Sequence, residues 1–272
     1  MKKQYIIILI AMVVIAIILT IFRDKSDIPY KADENTGTTI SEGLLVDGSY
    51  EVKTMVISDP YMTFDVKYPL FKNADESFNK SIEDLLNKQI EEDKITSKDN
   101  WKARYDTQVA GDNIKEFPTA DEKFSFNSDF KIIQSNSSYI SFVLNYGGFT
   151  GGAHGYEVNA TFNYDVKNQR ILKLKDMFPN NKDYLKYLSD ESRKYLIAQY
   201  ATASEEDKKN SSADALKEYI DNMVSVINQG TEPKEDNFSS FTFTPDKIRI
   251  YFADYQVGPH AIGMPEIEVD RK

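Results

Sequence analysis

The 272-residue chain contains no cysteine, only two histidines and a single tryptophan. Without cysteine there is no disulfide to report an oxidising compartment and no lipid-modified thiol to hold the chain on a membrane. Nucleophilic catalysis by a thiol is excluded too, and no GxSxG turn exposes an activated serine. His154 and His260 stand far apart in sequence with no HxH or HxxxH spacing, so no metal centre is pre-organised; neither a metal nor a cofactor is expected. A basic excess is also missing. Lys and Arg number 33 against 43 Asp and Glu, and no basic stripe is present to displace counterions from phosphates, which excludes nucleic acid as a partner.

Long apolar runs are equally scarce, with one exception. Tyr5 to Phe22 (YIIILIAMVVIAIILTIF) carries no charge from end to end. As a helix it spans roughly 27 Å, close to the hydrocarbon core of a bilayer. The run ends Leu19-Thr20-Ile21-Phe22 and passes directly into Arg23-Asp24-Lys25, without the small-x-small site of a cleaved signal, so it reads as an uncleaved transmembrane anchor. Lys2 and Lys3 on one side and Arg23 and Lys25 on the other nearly balance the positive-inside count. Only residues 1–4, read as a cytosolic tail, precede the run, so it must do the targeting itself, and a start of this kind places the downstream domain outside the cytoplasm. The expected location is the cell membrane, in single-pass form. Because Lys2 and Lys3 are the only charges before Tyr5, the formal charge of −10 leaves −12 on the remainder. Such a surface repels polyanions and attracts cationic proteins.

Residues 23–48 are rich in Asp, Lys, Ser, Thr and Gly and read as a flexible tether with a typical reach of about 28 Å. Beyond it the periodicity alternates between strand and helix. Tyr50 to Val56 and Met62 to Val66 alternate as strands, and Asn73 to Ile90 places Ala74, Phe78, Ile82, Leu85 and Gln89 at helical spacing. Residues 100–130 give no clear period. Phe130 to Tyr146 and Tyr156 to Tyr164 read as neighbouring antiparallel strands. Helical patterns come next at Tyr184 to Leu196 and Leu216 to Ile227, the second closed by Gly230, and a hairpin turns at Pro245-Asp246 between Phe241 and Phe252. The absence of regular strand–helix alternation predicts an α+β fold of antiparallel sheets with packed helices, in two intimately associated subdomains at 49–120 and 121–272.

Two segments are candidates for function. Gly147 to Gly155 (GGFTGGAHG) holds five of the twelve glycines in nine residues, which implies unusual backbone geometry. No lysine follows as in a phosphate loop, so the segment is either a wide hairpin connection or a rigid loop presenting Gly148, Thr150, Gly151, Gly152 and His154 to a polar ligand. Tyr255 to Pro265 (YQVGPHAIGMP) is a stiffened turn in which Tyr255, Pro259 and His260 are the candidates.

The segment GGAHGYEVNATFNYDVKNQRILKLKDMF (151–178), the helices after it and FTFTPDKIRIYFADYQVGPHAIGMPEIEV (241–269) resemble a bacterial envelope domain family of unknown function. That family supplies the ectodomain of the lysozyme-sensing anti-sigma factor RsiV and the N-terminal module of the peptidoglycan deacetylase PdaC. Residues 50–90, with the Tyr68-Pro69 step and Phe78-Asn79, are similar to the companion domain that precedes it. Residues 1–4 cannot supply a sigma-binding segment, and no catalytic deacetylase domain follows within the 272 residues. What the resemblance implies is a non-enzymatic, membrane-anchored module of the cell envelope that binds lysozyme, as a cationic protein, or a peptidoglycan-type cell-wall glycan. The alternative is a glycan-acting envelope enzyme that uses carboxylates or His154.

Overall fold

Alternating apolar and polar residues build the first strands, β1 (Tyr50–Met55) and β2 (Met62–Phe71), which pair antiparallel with Tyr50 opposite Phe71. The computed structural model describes residues 50–108 and 117–271, without the side chains of 105–108. The anticipated tail, anchor and tether lie outside the described residues. Among those described, no helix is long and apolar enough to cross a membrane.

After β2 the chain enters α1 (Glu76–Gln108) and returns as β3 (Phe124–Ser135), β4 (Tyr139–Phe149), β5 (Tyr156–Asp165) and the short β6 (Arg170–Ile171). These six strands form one sheet in chain order, β1 and β2 before position 120 and β3 to β6 after it. One pairing departs from the antiparallel expectation: β2 and β3 run parallel, Met62 beside Phe124. Two parallel strands need a long crossover between them, and the 33-residue α1 supplies it. The helix is longer than its sequence pattern suggests because its buried stripe continues past Phe78, Ile82, Leu86 and Ile90 through the polar Asp93 and Ser97 to Trp101. At its start Asp75 accepts from Phe78 N at 2.7 Å and from the Tyr164 hydroxyl at 2.6 Å, tying the helix to β5. The tyrosine bond chiefly holds the Asp75 carboxyl below the usual carboxylate range.

The sheet has two different buried faces. Against α1 it presents aromatics: Phe142 stacks on Phe162 at 4.9 Å, and Phe78 meets Tyr164 at 4.4 Å. The opposite face carries polar residues, including Ser141, Asn163 and Gln134, all of them buried. A second core covers it. The helices α2 (Tyr184–Tyr200), α3 (Glu205–Asn210) and α4 (Ala213–Gly230) precede a three-stranded antiparallel sheet of β7 (Phe241–Phe243), β8 (Lys247–Tyr251) and β9 (Glu266–Asp270). Leu188 and Leu196 of α2, Ile227 of α4 and Ile248, Ile250 and Phe252 meet there without solvent exposure. The hairpin read from the sequence is present as β7 and β8, and β9 adds a third strand that the sequence pattern does not announce.

Docking occurs through the outer edge of β7. Phe241 N donates to the Thr161 hydroxyl at 3.0 Å and Phe243 N to the Ser141 hydroxyl at 2.9 Å. In return the Phe241 carbonyl accepts from Asn163 Nδ2 and the Phe243 carbonyl from Gln134 Nε2, both at 2.7 Å. Ser141 Oγ also donates to Asn163 Oδ1 at 2.7 Å. An unsatisfied buried N–H costs about 1–3 kcal/mol. Ser141→Ala is therefore expected to lower the unfolding free energy by about 1–3 kcal/mol with secondary structure retained. Urea unfolding followed by circular dichroism measures this, and a loss below about 0.5 kcal/mol would mean that the hydroxyl is not structural.

Candidate functional site

The Gly-rich segment joins β4 to β5, and both close backbone approach and a positive φ require glycine in it. At Gly148 a Cβ would stand 2.1 Å from the Ser125 carbonyl of β3, and Gly151 has φ +99°. Side chains of α1 pin the loop from beneath. Asn100 Nδ2 donates to the Thr150 carbonyl at 2.7 Å, and the Tyr156 hydroxyl, just past the loop, donates to Asp93 at 2.5 Å. Gln89 Nε2 bonds the other Asp93 oxygen at 3.0 Å. Burial raises the Asp93 carboxyl pKa, and burial together with the Asp93 bond raises that of the Tyr156 phenol.

The second segment connects β8 to β9. Tyr255 has a positive φ of 63°. This left-handed conformation is strained for a bulky residue. Gln256 enforces it. Its N–H donates to the Ala253 carbonyl and its Oε1 accepts from Ala253 N, both at 3.0 Å, while its Nε2 reaches the Gly230 and Asn237 carbonyls at 2.9 and 3.0 Å. Gly230, where α4 ends, leaves room for this contact: a Cβ there would lie 2.0 Å from the Gln256 carbonyl. Pro259 leads into a single 3-10 turn, His260–Ile262.

These two loops meet. The His154 and His260 rings stack with centroids 4.3 Å apart and planes at 19°, and Tyr255 lies nearly parallel to His260 at 5.8 Å. His154 Nδ1 is 2.6 Å from the Gly155 carbonyl. A carbonyl can only accept, so Nδ1 carries the hydrogen, and in the neutral ring Nε2 is left as an acceptor. The Tyr255 hydroxyl donates to it at 3.3 Å. His260 Nδ1 donates to Asp254 Oδ2 at 2.7 Å, leaving its Nε2 for a ligand. The other oxygen, Asp254 Oδ1, is shielded from solvent and has no hydrogen-bond partner among the described residues. All three rings are exposed, Tyr255 by 57%. A cleft of about 190 Å³ bordered by Glu157, Asn159, Ala253 and Gln256 begins at the residues flanking Asp254 and Tyr255.

Of the candidates named from sequence, His154, Tyr255 and His260 form the cluster. Gly148, Thr150 and Gly151 shape the loop beneath it, Thr150 through its carbonyl, while Gly152 and Pro259 sit exposed at its margin. Asp254, Gln256, Asp93 and Asn100 are contributors that sequence reasoning missed. Asp254 and Gln256 flank Tyr255 and carry the one signal that could have found them, whereas Asp93 and Asn100 look like ordinary polar positions of a helix. Among the described residues no group of three or more His, Asp or Glu is arranged to hold a metal ion. The arrangement offers flat ring faces, a free imidazole nitrogen and carboxylate and amide groups beside them. This is the equipment for stacking a ring and hydrogen-bonding its polar edge.

Residues 56–157 match the family described as deacetylase PdaC, and residues 175–272 match a family described as protein of unknown function (DUF3298). His154 thus comes from the first match, and Tyr255 and His260 from the second. The peptidoglycan-N-acetylmuramic acid deacetylase PdaC of Bacillus subtilis (strain 168) is 29% identical over 224 residues, which are 82% of this chain and 40% of that protein. The chain therefore spans well under half the length of this curated relative. Among solved structures, a DUF3298 family member from Bacteroides fragilis superposes with a TM-score of 0.50 at 19% identity, over 82% of this chain and 90% of the other. A DUF3298 family protein from Pseudomonas aeruginosa PAO1 gives 0.43 at 14% identity, over 82% and 87%. The Bacteroides likeness is one of fold.

The strained backbone yields a stability test. Left-handed φ at a non-glycine residue costs on the order of 1 kcal/mol, and glycine removes that strain. Tyr255→Gly is expected to leave the unfolding free energy unchanged or raise it by up to about 1 kcal/mol, as read by urea unfolding. A loss of more than about 1 kcal/mol would show that the ring is retained for packing.

Proposed function

We propose that this chain, with its PdaC-like and DUF3298-like parts, is an extracytoplasmic ligand-binding module of the bacterial cell envelope, anchored through residues 5–22. Its ligand is a peptidoglycan-type glycan seated on Tyr255, His260 and His154. The observation that carries this reading is the convergence of two loops on one exposed ring cluster, each held in place by side-chain hydrogen bonds to backbone carbonyls. Strain in an exposed aromatic residue is retained where surrounding contacts over-determine it, and such positions cluster at ligand sites. The peptidoglycan substrate named for the Bacillus relative agrees with a wall glycan.

A charge of −12 beyond the apolar run favours a second ligand, a cationic protein such as lysozyme. A third reading, a glycan-acting enzyme, moves from His154 to His260, because Asp254 holds the His260 ring through a hydrogen bond of 2.7 Å. A carboxylate orients the imidazole of a general base in the same way. This reading predicts muropeptide turnover that disappears in His260→Ala.

Full-length protein in detergent is expected to be retained by purified peptidoglycan at both low and high salt. Tyr255→Ala and His260→Ala should each weaken retention by about fivefold, the scale of one ring contact. Retention on immobilised lysozyme alone, falling steeply with salt, would move the assignment to the protein ligand. Retention by neither would reject the binding reading. Protease added to intact protoplasts is expected to degrade the domain, and complete protection would place it inside.

A further inference from the structure

A larger cleft, of about 530 Å³, opens at the seam of the two cores; it shares Asp236 and Ser239 with the smaller cleft and has none of the three rings in its lining. Its volume falls within the range of small-ligand sites. Phe162 of β5, Phe241 of β7 and Ile171 of β6 contribute its apolar lining, and Ile171 is 61% exposed although it is a large aliphatic residue.

Charges of opposite sign stand on different lining segments. Along residues 171–175 exposure alternates: Leu172 and Leu174 turn into the core, so Ile171, Lys173 and Lys175 all face outward. Asp236 belongs to the segment Glu235–Phe238, which the buried Phe238 roots in the second core. Among the described residues neither lysine ammonium nor the Asp236 carboxylate forms an ion pair. Asp176, the acid next to Lys175, is already engaged by Arg170 at 3.0 Å and by Lys173 N at 2.8 Å. Glu235 accepts from the Tyr184 hydroxyl at 2.8 Å. Lys173 and Lys175 thus present two ammonium groups beside an apolar surface in a chain with ten more acidic than basic residues.

We propose that this cleft binds a short zwitterionic peptide. Its carboxylate lies at Lys173 and Lys175, its ammonium at Asp236, and an apolar side chain between them rests on Phe162, Ile171 and Phe241. Neither a neutral sugar nor a purely anionic ligand uses both signs of charge. None of the three rings lines this cleft, so substitutions in the rings and in the lysines test the two sites separately.

The test is isothermal titration of the full-length protein with trileucine, its N-acetylated form and its C-terminal amide. The free peptide should bind, and each blocked form should bind about fivefold more weakly, the scale of one exposed ion pair. The double substitution Lys173→Ala, Lys175→Ala should weaken the free peptide by a similar factor without changing affinity for the amide. Asp236→Asn should weaken the free peptide and not the acetylated one. Tyr255→Ala should leave all three unchanged. Absence of binding by trileucine, equal binding of the blocked forms, or indifference to the charge substitutions would each overturn the proposal.

Discussion

Four backbone groups on the outer edge of β7 decide how this protein is put together. A sheet edge presents unpaired N–H and C=O groups and ordinarily has to be shielded or paired with another strand. Here Thr161, Ser141, Asn163 and Gln134 of the six-stranded sheet supply one partner for each group of Phe241 and Phe243. Side chains thus stand in for a neighbouring strand, and the two cores are joined through directional, mostly buried bonds. Buried polar networks of this kind fix one arrangement when complete, because any displacement leaves groups unsatisfied.

That constraint reaches the ring cluster. β4 and β5, which dock β7, also lead into and out of the Gly-rich loop. β8, paired with β7, leads into the Tyr255 turn. One seam therefore sets the distance between His154 on one loop and His260 on the other. Local bonds then refine each side, with α1 holding the first loop through Asn100 and Gln256 locking the second to the end of α4. The chain places strain in the backbone of Tyr255 and surrounds it with enough hydrogen bonds to keep it there. A rigid presentation of exposed rings reduces the ordering cost of binding.

The same seam leaves a cleft where the two cores do not fully close. Its lining comes from β5, from the short segment after it and from the turn before β7, so its shape depends on the docking as much as the ring cluster does.

Much of the architecture was legible along the chain. Phe142 and Phe162 fell on alternating positions of strands, Phe78 and Ile82 on a helical stripe, and Pro245-Asp246 between two alternating runs, because side-chain period follows directly from backbone geometry. Glycine density marked the loop, and Tyr255, Pro259 and His260 marked the turn. The sequence alone could not reveal the parallel pairing of β2 with β3, since pairing direction depends on where α1 returns the chain. Nor did it disclose the extent of α1, whose inner stripe passes through Asp93 and Ser97, polar residues that look solvent-facing until Tyr156 and the sheet are packed over them. Ser141 and Asn163 alternate with aromatics like the wet face of a strand, yet serve the edge of β7. Local patterns report what a residue prefers beside its neighbours in sequence. Which polar groups are buried, and which two loops touch, depends on contacts between segments about a hundred residues apart, and those are settled only when the cores come together.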